Sequence, residues 1–405
     1  MDPAGILTGI RVIDCGTYVA APAAATVMSD FGAEVIKIER PGGGDLWRLF
    51  SKLPGVAKCD LDWCWILTNR NKKSVALDLG RPEGREVLLR LVGTADVFVT
   101  NFQQKLLEKF SLTWADLAPI NRRLIYAHLT GYGDSGEDAD APAFDALAYW
   151  ARSGLMMSVT GSDGSPGAPR PGMGDHPTSM SLFGAIMLGL YRREGTGQGS
   201  RVTTSLMASG AWANACDIQA KLLNARFPER SASGHPPNPL TSAYLSCDGK
   251  MFLLVLIDPD VEFPRLCRIL HQPELSKSEL FCTNAAREEN AAALYEILRS
   301  QFEAGNLEQW AEVFRLGDIK WAPLPRLDDV VGDPQLHAAE AIIGLDHPIA
   351  GHIETVNSPV FVNGTAKRTP SAAPEIGAHT HEILAELGYS SMEIEALLRG
   401  AAKVF

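Results

Sequence analysis

Short apolar runs ending in glycine or a charged residue alternate with stretches of helical periodicity over the first 133 residues. GIRVIDCG (9–16) reads as a buried strand, AAPAAATVMSDFG (20–32) as an Ala-rich helix closed by Gly32, and AEVIKIER (33–40) as a second strand. Strand, helix and strand in this order predict a right-handed parallel βαβ unit. The pattern continues with SVALDL (74–79) as a strand, PEGREVLLRLV (82–92) as a helix, and ADVFVTNF (95–102) and RLIYAHLTGYG (123–133) as strands. A doubly wound α/β lobe of Rossmann-like type follows from that alternation.

Helical periodicity dominates from about residue 143 to 225. After Asp175, the residues Met180, Phe183, Met187, Leu190 and Tyr191 recur at near-helical spacing, and Gly195 is expected to end that helix. The Pro, Ser and Gly of ERSASGHPPNPLTS (229–242) predict a linker into a smaller α/β lobe that opens with the strands AYLSCDG (243–249) and MFLLVLI (251–257). Helices fill most of 259–317, and a proline-rich return leads to a last helix near HEILAELGY (381–389). The expected organisation is a large lobe over 1–225, a small lobe over 226–325 and a segment over 326–405 that completes the large lobe.

With 405 residues the chain exceeds the size at which one core stops growing. Its net charge of −11 argues against a general nucleic-acid or anionic-membrane surface, so an anionic ligand needs a local site. No targeting segment is legible in MDPAGILTGIRVID, and no apolar run is long enough to span a bilayer. The seven cysteines (15, 59, 64, 216, 247, 267 and 282) lack CxxC spacing and fit reduced thiols in the cytoplasm. His379 and His381 have no third partner for a metal, and no metal site is expected.

In an open parallel sheet ligands bind beyond the carboxyl ends of the strands. Those ends deliver Thr17 to Pro22, Glu39 and Arg40, Asn101 and Phe102, and Thr130 to Gly133. Glu39 stands where a dinucleotide fold places its ribose ligand, but CGTYVAAPAAA has no GxGxxG, which argues against NAD. NRNKKS (69–74) predicts an exposed cationic loop whose Lys72 and Lys73, with Arg40, could hold a phosphorylated tail. Asp175, in PRPGMGDHPTSM, is placed to cap the helix that follows it.

Taken together, GIRVIDCGTYVAAPAAATVMSDFGAEVIKIERPGGGD, NRNKKSVALDL, DVFVTNF, LTGYGDSG, FDALAYWARSG and GMGDH resemble the class III CoA-transferases, the CaiB/BaiF-type family. The resemblance implies transfer of CoA from an acyl-CoA to a carboxylic acid, with Asp175 as nucleophile and an aspartyl-CoA intermediate. It implies CoA binding by Thr17, Tyr18, Val19, Ala20, Arg40, Lys72, Lys73, Asn101 and Phe102, with acyl-CoA as a substrate and no tightly bound cofactor. It also implies an interlocked, ring-like homodimer.

The chemistry agrees with first principles, because a carboxylate can attack a thioester and conserve its activation. Gly172 and Gly174 would let backbone N–H groups approach the oxyanion, and the helix N-terminus would keep Asp175 ionised. The alternative is an acyl-CoA racemase on the same fold. There the resemblance implies a proton-transferring histidine at Phe144, and phenylalanine cannot exchange a proton.

Overall fold

The computed structural model describes residues 5–160, 164–227 and 235–402, with side chains to residue 398. The chain forms two compact units, one from Met1–Gln219 with Ala339–Phe405 and the other from Ala220–Ala338. The second break falls after residue 338 rather than 325, because the short helices Leu327–Val330 and Pro334–Ala338 cluster with the smaller unit.

In the larger unit six strands form one parallel sheet: β1 (Arg11–Asp14), β2 (Glu34–Glu39), β3 (Lys73–Ala76), β4 (Val97–Thr100), β5 (Ile125–Thr130) and β6 (Ser200–Ser205). Their order is β3-β2-β1-β4-β5-β6. The chain therefore winds outward from β1 to β3, returns, and winds the other way from β4. The loops after β1 and β4 diverge at that reversal and leave a crevice.

Alternation along each strand gives the sheet two apolar faces, as a parallel sheet covered on both sides requires. Ile13, Ile36, Val75 and Phe98 point to one face, where Val87, Leu88 and Leu91 of the Pro82–Thr94 helix and Ile383 and Leu384 near the C-terminus cover them. Val12, Val35, Val97 and Ile125 point to the other, against the Ala20–Asp30 helix and the 22-residue Asp175–Thr196 helix. Leu182, Ile186 and Leu190 of the long helix are buried there, and each contributes about 1.5–3 kcal/mol of apolar transfer. Of the positions its apolar spacing predicts, Leu190 is buried and Phe183 and Met187 pack half-buried against the same core, whereas Tyr191 is 81% exposed. The helix also runs past Gly195 to a cap at Gly197.

β6 lies within the span read as helical. Its SRVTTS alternates in burial and is β-branched at Val202, Thr203 and Thr204, features of a strand that apolar helices on both sides obscure. At residues 146–151 the expected α-helix is a π-helical turn. The C-terminal part adds an antiparallel hairpin of β10 (Ile342–His347) and β11 (Gly351–Val356) to the larger unit.

The smaller unit has an antiparallel sheet of β7 (Thr241–Leu245), β8 (Met251–Val255) and β9 (Trp321–Pro323). Its core joins Tyr244 and Phe252 to Leu294, Leu298, Phe302 and Phe314 from the helices. The linker expected over 229–242 lies partly outside the described residues, at 229–234. No helix among the described residues is long and apolar enough to cross a membrane.

Candidate active site

A cavity of about 970 Å³ opens at the reversal between β1 and β4. Its wall includes Thr17, Tyr18, Val19 and Ala20 after β1, Asn101 and Phe102 after β4, and Asp175 at the start of the long helix. Asn101 ties the two loops together, accepting from the Thr17 N–H at 2.8 Å and donating to the Thr17 carbonyl at 2.9 Å. Tyr18 has a φ of +61° and is fixed by its N–H, which donates to Asp45.

The cations expected to join them do not line this wall. Residues 70–72 are buried rather than forming an exposed loop. Lys72 donates to Asp14 at 2.9 Å, to the Pro22 carbonyl and to Asn69, while Arg70 pairs with Asp30 at 2.7 Å. Lys73 bridges Glu34 and Glu382. Arg40 is exposed at the end of β2, with its guanidinium against Gly43. Glu39 accepts from Arg48, Ser74 and the Asp45 N–H, so it has no oxygen to spare for a ribose.

Asp175 is the first residue of its helix, and Gly174 rather than Asp175 is the N-cap. No hydrogen bond or ion pair among the described residues reaches the Asp175 carboxylate. Burial, and after it the neighbouring Asp145, push its pKa up to about 7. Hence the helix N-terminus does not hold it in the ordinary aspartate range, contrary to the expectation from sequence.

Asp145 occupies the N–H groups that were expected to serve an oxyanion. Its Oδ2 accepts from Gly172 at 3.0 Å and from Gly174 at 3.2 Å, so the side chain before the π-helical turn holds the loop that presents Asp175. Gly174 is required here for space, since a Cβ would stand 2.6 Å from the ring of Tyr149. A π-turn directly after the clamp agrees with the tendency of such turns to occur at functional sites.

Sequence reading missed the cation that does line the cavity, Arg201 on β6. It donates to both Asp134 oxygens at 2.7 and 3.0 Å and to His128 Nδ1 at 3.3 Å. Because Arg201 can only donate, Nδ1 accepts, and the Nε2–H donates to the Phe102 carbonyl at 2.9 Å. Burial, and then Arg201, hold the imidazole below its ordinary pKa despite that carbonyl, so His128 is neutral at pH 7. The β-strand alternation of SRVTTS was the signal that could have placed Arg201 at the sheet. No cluster of metal ligands occurs among the described residues.

A sheet of this order with a carboxylate at its reversal crevice places the chain among the doubly wound α/β proteins, and comparison with known proteins narrows the class. The model of CoA-transferase family III matches residues 7–380, and the chain belongs to that family. It is 31% identical to the cinnamoyl-CoA:phenyllactate CoA-transferase of Clostridium sporogenes, over 97% of this chain and 96% of that one. It is 32% identical to the succinyl-CoA:glutarate CoA-transferase of Mus musculus, over 97% and 89% of the two chains. Its fold matches the crystal structure of a CaiB/BaiF family protein from Brucella suis, with a TM-score of 0.81, 29% identity and coverage of 95% and 100%. The protein is a CoA-transferase, and its family uses CoA thioesters as substrates.

Proposed function

We propose that the enzyme moves CoA from an acyl-CoA to a free carboxylic acid through a covalent intermediate on Asp175. The observation that carries this reading is a carboxylate without hydrogen-bond partners, of pKa about 7, in the wall of the crevice cavity. A group that is half ionised near neutrality and unencumbered is suited to nucleophilic attack.

The ionised Asp175 oxygen attacks the thioester carbonyl, and the C–S bond breaks to give an aspartyl–acyl anhydride and CoA thiolate. The thiolate attacks the aspartyl carbonyl, releasing the donor as its carboxylate and leaving aspartyl-CoA. The acceptor carboxylate then attacks this thioester, and the returning thiolate cleaves the second anhydride at its acyl carbon. The product is a new acyl-CoA, Asp175 regains its carboxylate, and no proton or electron is consumed overall. Asp145 keeps the Gly172–Gly174 turn in place throughout.

Thr17, Tyr18, Val19, Ala20, Asn101 and Phe102 are the proposed CoA contacts, with Arg40 outside the cavity as a phosphate contact. Lys72 and Lys73 take structural roles. A racemase is not favoured, since Phe144 carries no exchangeable proton and the neighbouring Asp145 carboxylate is committed to two backbone N–H groups. The relatives' names span an aromatic hydroxy acid and a dicarboxylate, so the family does not fix the acid.

The reading extends to a homodimer of interlocked rings. Supporting it, Leu188, Tyr191 and Trp212 are 71%, 81% and 82% exposed on helices of the larger unit, an apolar surface that a second chain would cover. Sedimentation should show a dimer that persists on dilution, and a folded monomer would contradict it.

Incubation with acyl-CoA and hydroxylamine tests the nucleophile. Asp175 should become a hydroxamate, visible by peptide mass spectrometry, as activity is lost. Turnover with Asp175 unmodified, or full activity in Asp175→Ala, would end this mechanism.

A further inference from the structure

The cavity that Asp175 lines carries both a run of aromatic rings and several carboxylates. Phe144 is 54% exposed and meets Tyr18 edge to face, with ring centroids 5.6 Å apart. Tyr18 in turn meets Trp47 at 6.4 Å, and Trp47 stacks obliquely on Phe50 at 4.4 Å. All four rings line the cavity. The wall is close to the reacting group, because Phe144 precedes Asp145, whose carboxylate holds the N–H of Gly174 immediately before Asp175.

The charges that share this cavity are Asp134, Asp140, Asp145 and Asp175, against Arg201, which is the one Lys or Arg among the described lining residues. Arg201 is already neutralised by its two bonds to Asp134. A second carboxylate on a substrate would thus enter a site with no uncommitted cation and with Asp145 beside the nucleophile. Burying an unpaired charge there is strongly unfavourable, whereas an aryl or branched alkyl group would gain from contact with the rings.

We propose that the acids exchanged at Asp175 are monocarboxylic acids with an aryl or branched-alkyl tail, that Phe144 and Tyr18 form the tail site, and that dicarboxylic acids are excluded. This rests on the reading of Asp175 as the covalent centre. The pantetheine thioester and the acid's own carboxylate meet at Asp175, and the tail extends along the Phe144–Tyr18 wall. Phe144 is a specificity-determining residue rather than a catalytic one.

The test uses 3-phenylpropanoyl-CoA as donor and compares 4-methylpentanoate and phenylacetate with succinate and glutarate as acceptors. Hydroxylamine trapping of Asp175 is run in parallel with 3-phenylpropanoyl-CoA and with succinyl-CoA. The apolar acids should exceed the dicarboxylates by more than about 30-fold in kcat/KM, within the range that pocket contacts of this kind deliver. That ratio should fall at least about fivefold in Phe144→Ala. It should fall further in Phe144→Arg, which supplies the missing cation.

A smaller ratio in the native enzyme, or one unchanged in both variants, overturns the assignment of substrate class. If this happens while Asp175 is still trapped as a hydroxamate, the covalent mechanism stands and only the tail site is wrong. If no donor labels Asp175 although CoA exchange proceeds, the Asp175 reading fails and this inference fails with it.

Discussion

Under β1 four buried charges neutralise one another, whereas at the mouth of the long helix two carboxylates stand together without a cation. Lys37 pairs with Asp45 at 2.9 Å and lies 3.7 Å from Asp14, which Lys72 engages at 2.9 Å. Burial pushes the Asp14 pKa up, but Lys37, Lys72 and the Gly16 N–H outweigh it and hold the group ionised. Asp175 feels burial too, and the charge that acts on it is Asp145, so both causes act in the same direction and raise its pKa. The first arrangement fixes the loops after β1; the second is the kind of unfavourable charge placement that clusters at functional sites.

The largest separation of the two regions should come from Asp175→Asn. Loss of the proposed nucleophile should lower kcat/KM by a factor on the order of 10³ or more. The same change should stabilise the fold. With a folded pKa of about 7 against an ordinary 3.8, the native state holds its proton more tightly than the unfolded chain. Stability from this group is therefore present below pH 4 and lost as pH rises through about 7. Discounted for the cavity's solvent, the gain in Asp175→Asn above that pH is about 1–2 kcal/mol, and thermal unfolding at pH 5 and pH 8 would show the larger gain at the higher pH. Equal destabilisation at both would mean that Asp175 belongs with the structural charges.

Lys37→Met should do the reverse. It strips a partner from Asp14 and from Asp45 inside the fold, and breaking one side of a buried pair costs about 3–5 kcal/mol. Denaturant unfolding should record that loss. A change under 1 kcal/mol would mean that the network is not holding the β1 loop.

These contrasts also explain what the sequence could reveal. The βαβ units were legible because Val, Ile and Ala runs between glycines leave few alternatives, and the start of the long helix at Asp175 because a carboxylate after glycines and before an apolar run marks a helix N-terminus. The fate of Lys72 was not legible: a lysine in an NRNKKS run looks solvated, and only the fold brings Asp14, 58 residues earlier, to its ammonium. Arg201 and Asp145 were hidden for the same reason. Arg201 meets a partner 67 residues away, and Asp145 bonds a turn 27 residues on. The helix span swallowed β6 because SRVTTS is a six-residue, mostly polar stretch lying between two apolar helices.

Asp145→Asn sharpens the comparison by changing charge and keeping an acceptor. The amide oxygen can still receive one glycine N–H, while the like charge beside Asp175 disappears. Activity that depends on ionised Asp175 should rise with pH through about 7 in the native enzyme. In Asp145→Asn the midpoint should move to lower pH, but stay above that of an ordinary aspartate because burial is the larger cause. A pH–rate profile of kcat/KM measures this. An unmoved midpoint would show that Asp145 acts only as a clamp on the turn.

The smallest effect should belong to Lys73, the cation on which the sequence and the fold disagree most directly. Its ammonium lies 2.9 Å from Glu34 and 2.8 Å from Glu382, and the three side chains are 30%, 31% and 49% exposed. Pairs this open are screened by solvent and salt, so Lys73→Ala should cost about 0.2–1 kcal/mol, and less at high ionic strength. As a phosphate ligand, Lys73 would behave differently: its removal would weaken acyl-CoA binding strongly and leave unfolding almost untouched. The structure ties it to two carboxylates away from the cavity wall, so KM for acyl-CoA in Lys73→Ala should stay within about twofold of the native value. A rise of tenfold or more with unchanged stability would move Lys73 from the structural charges to the binding ones.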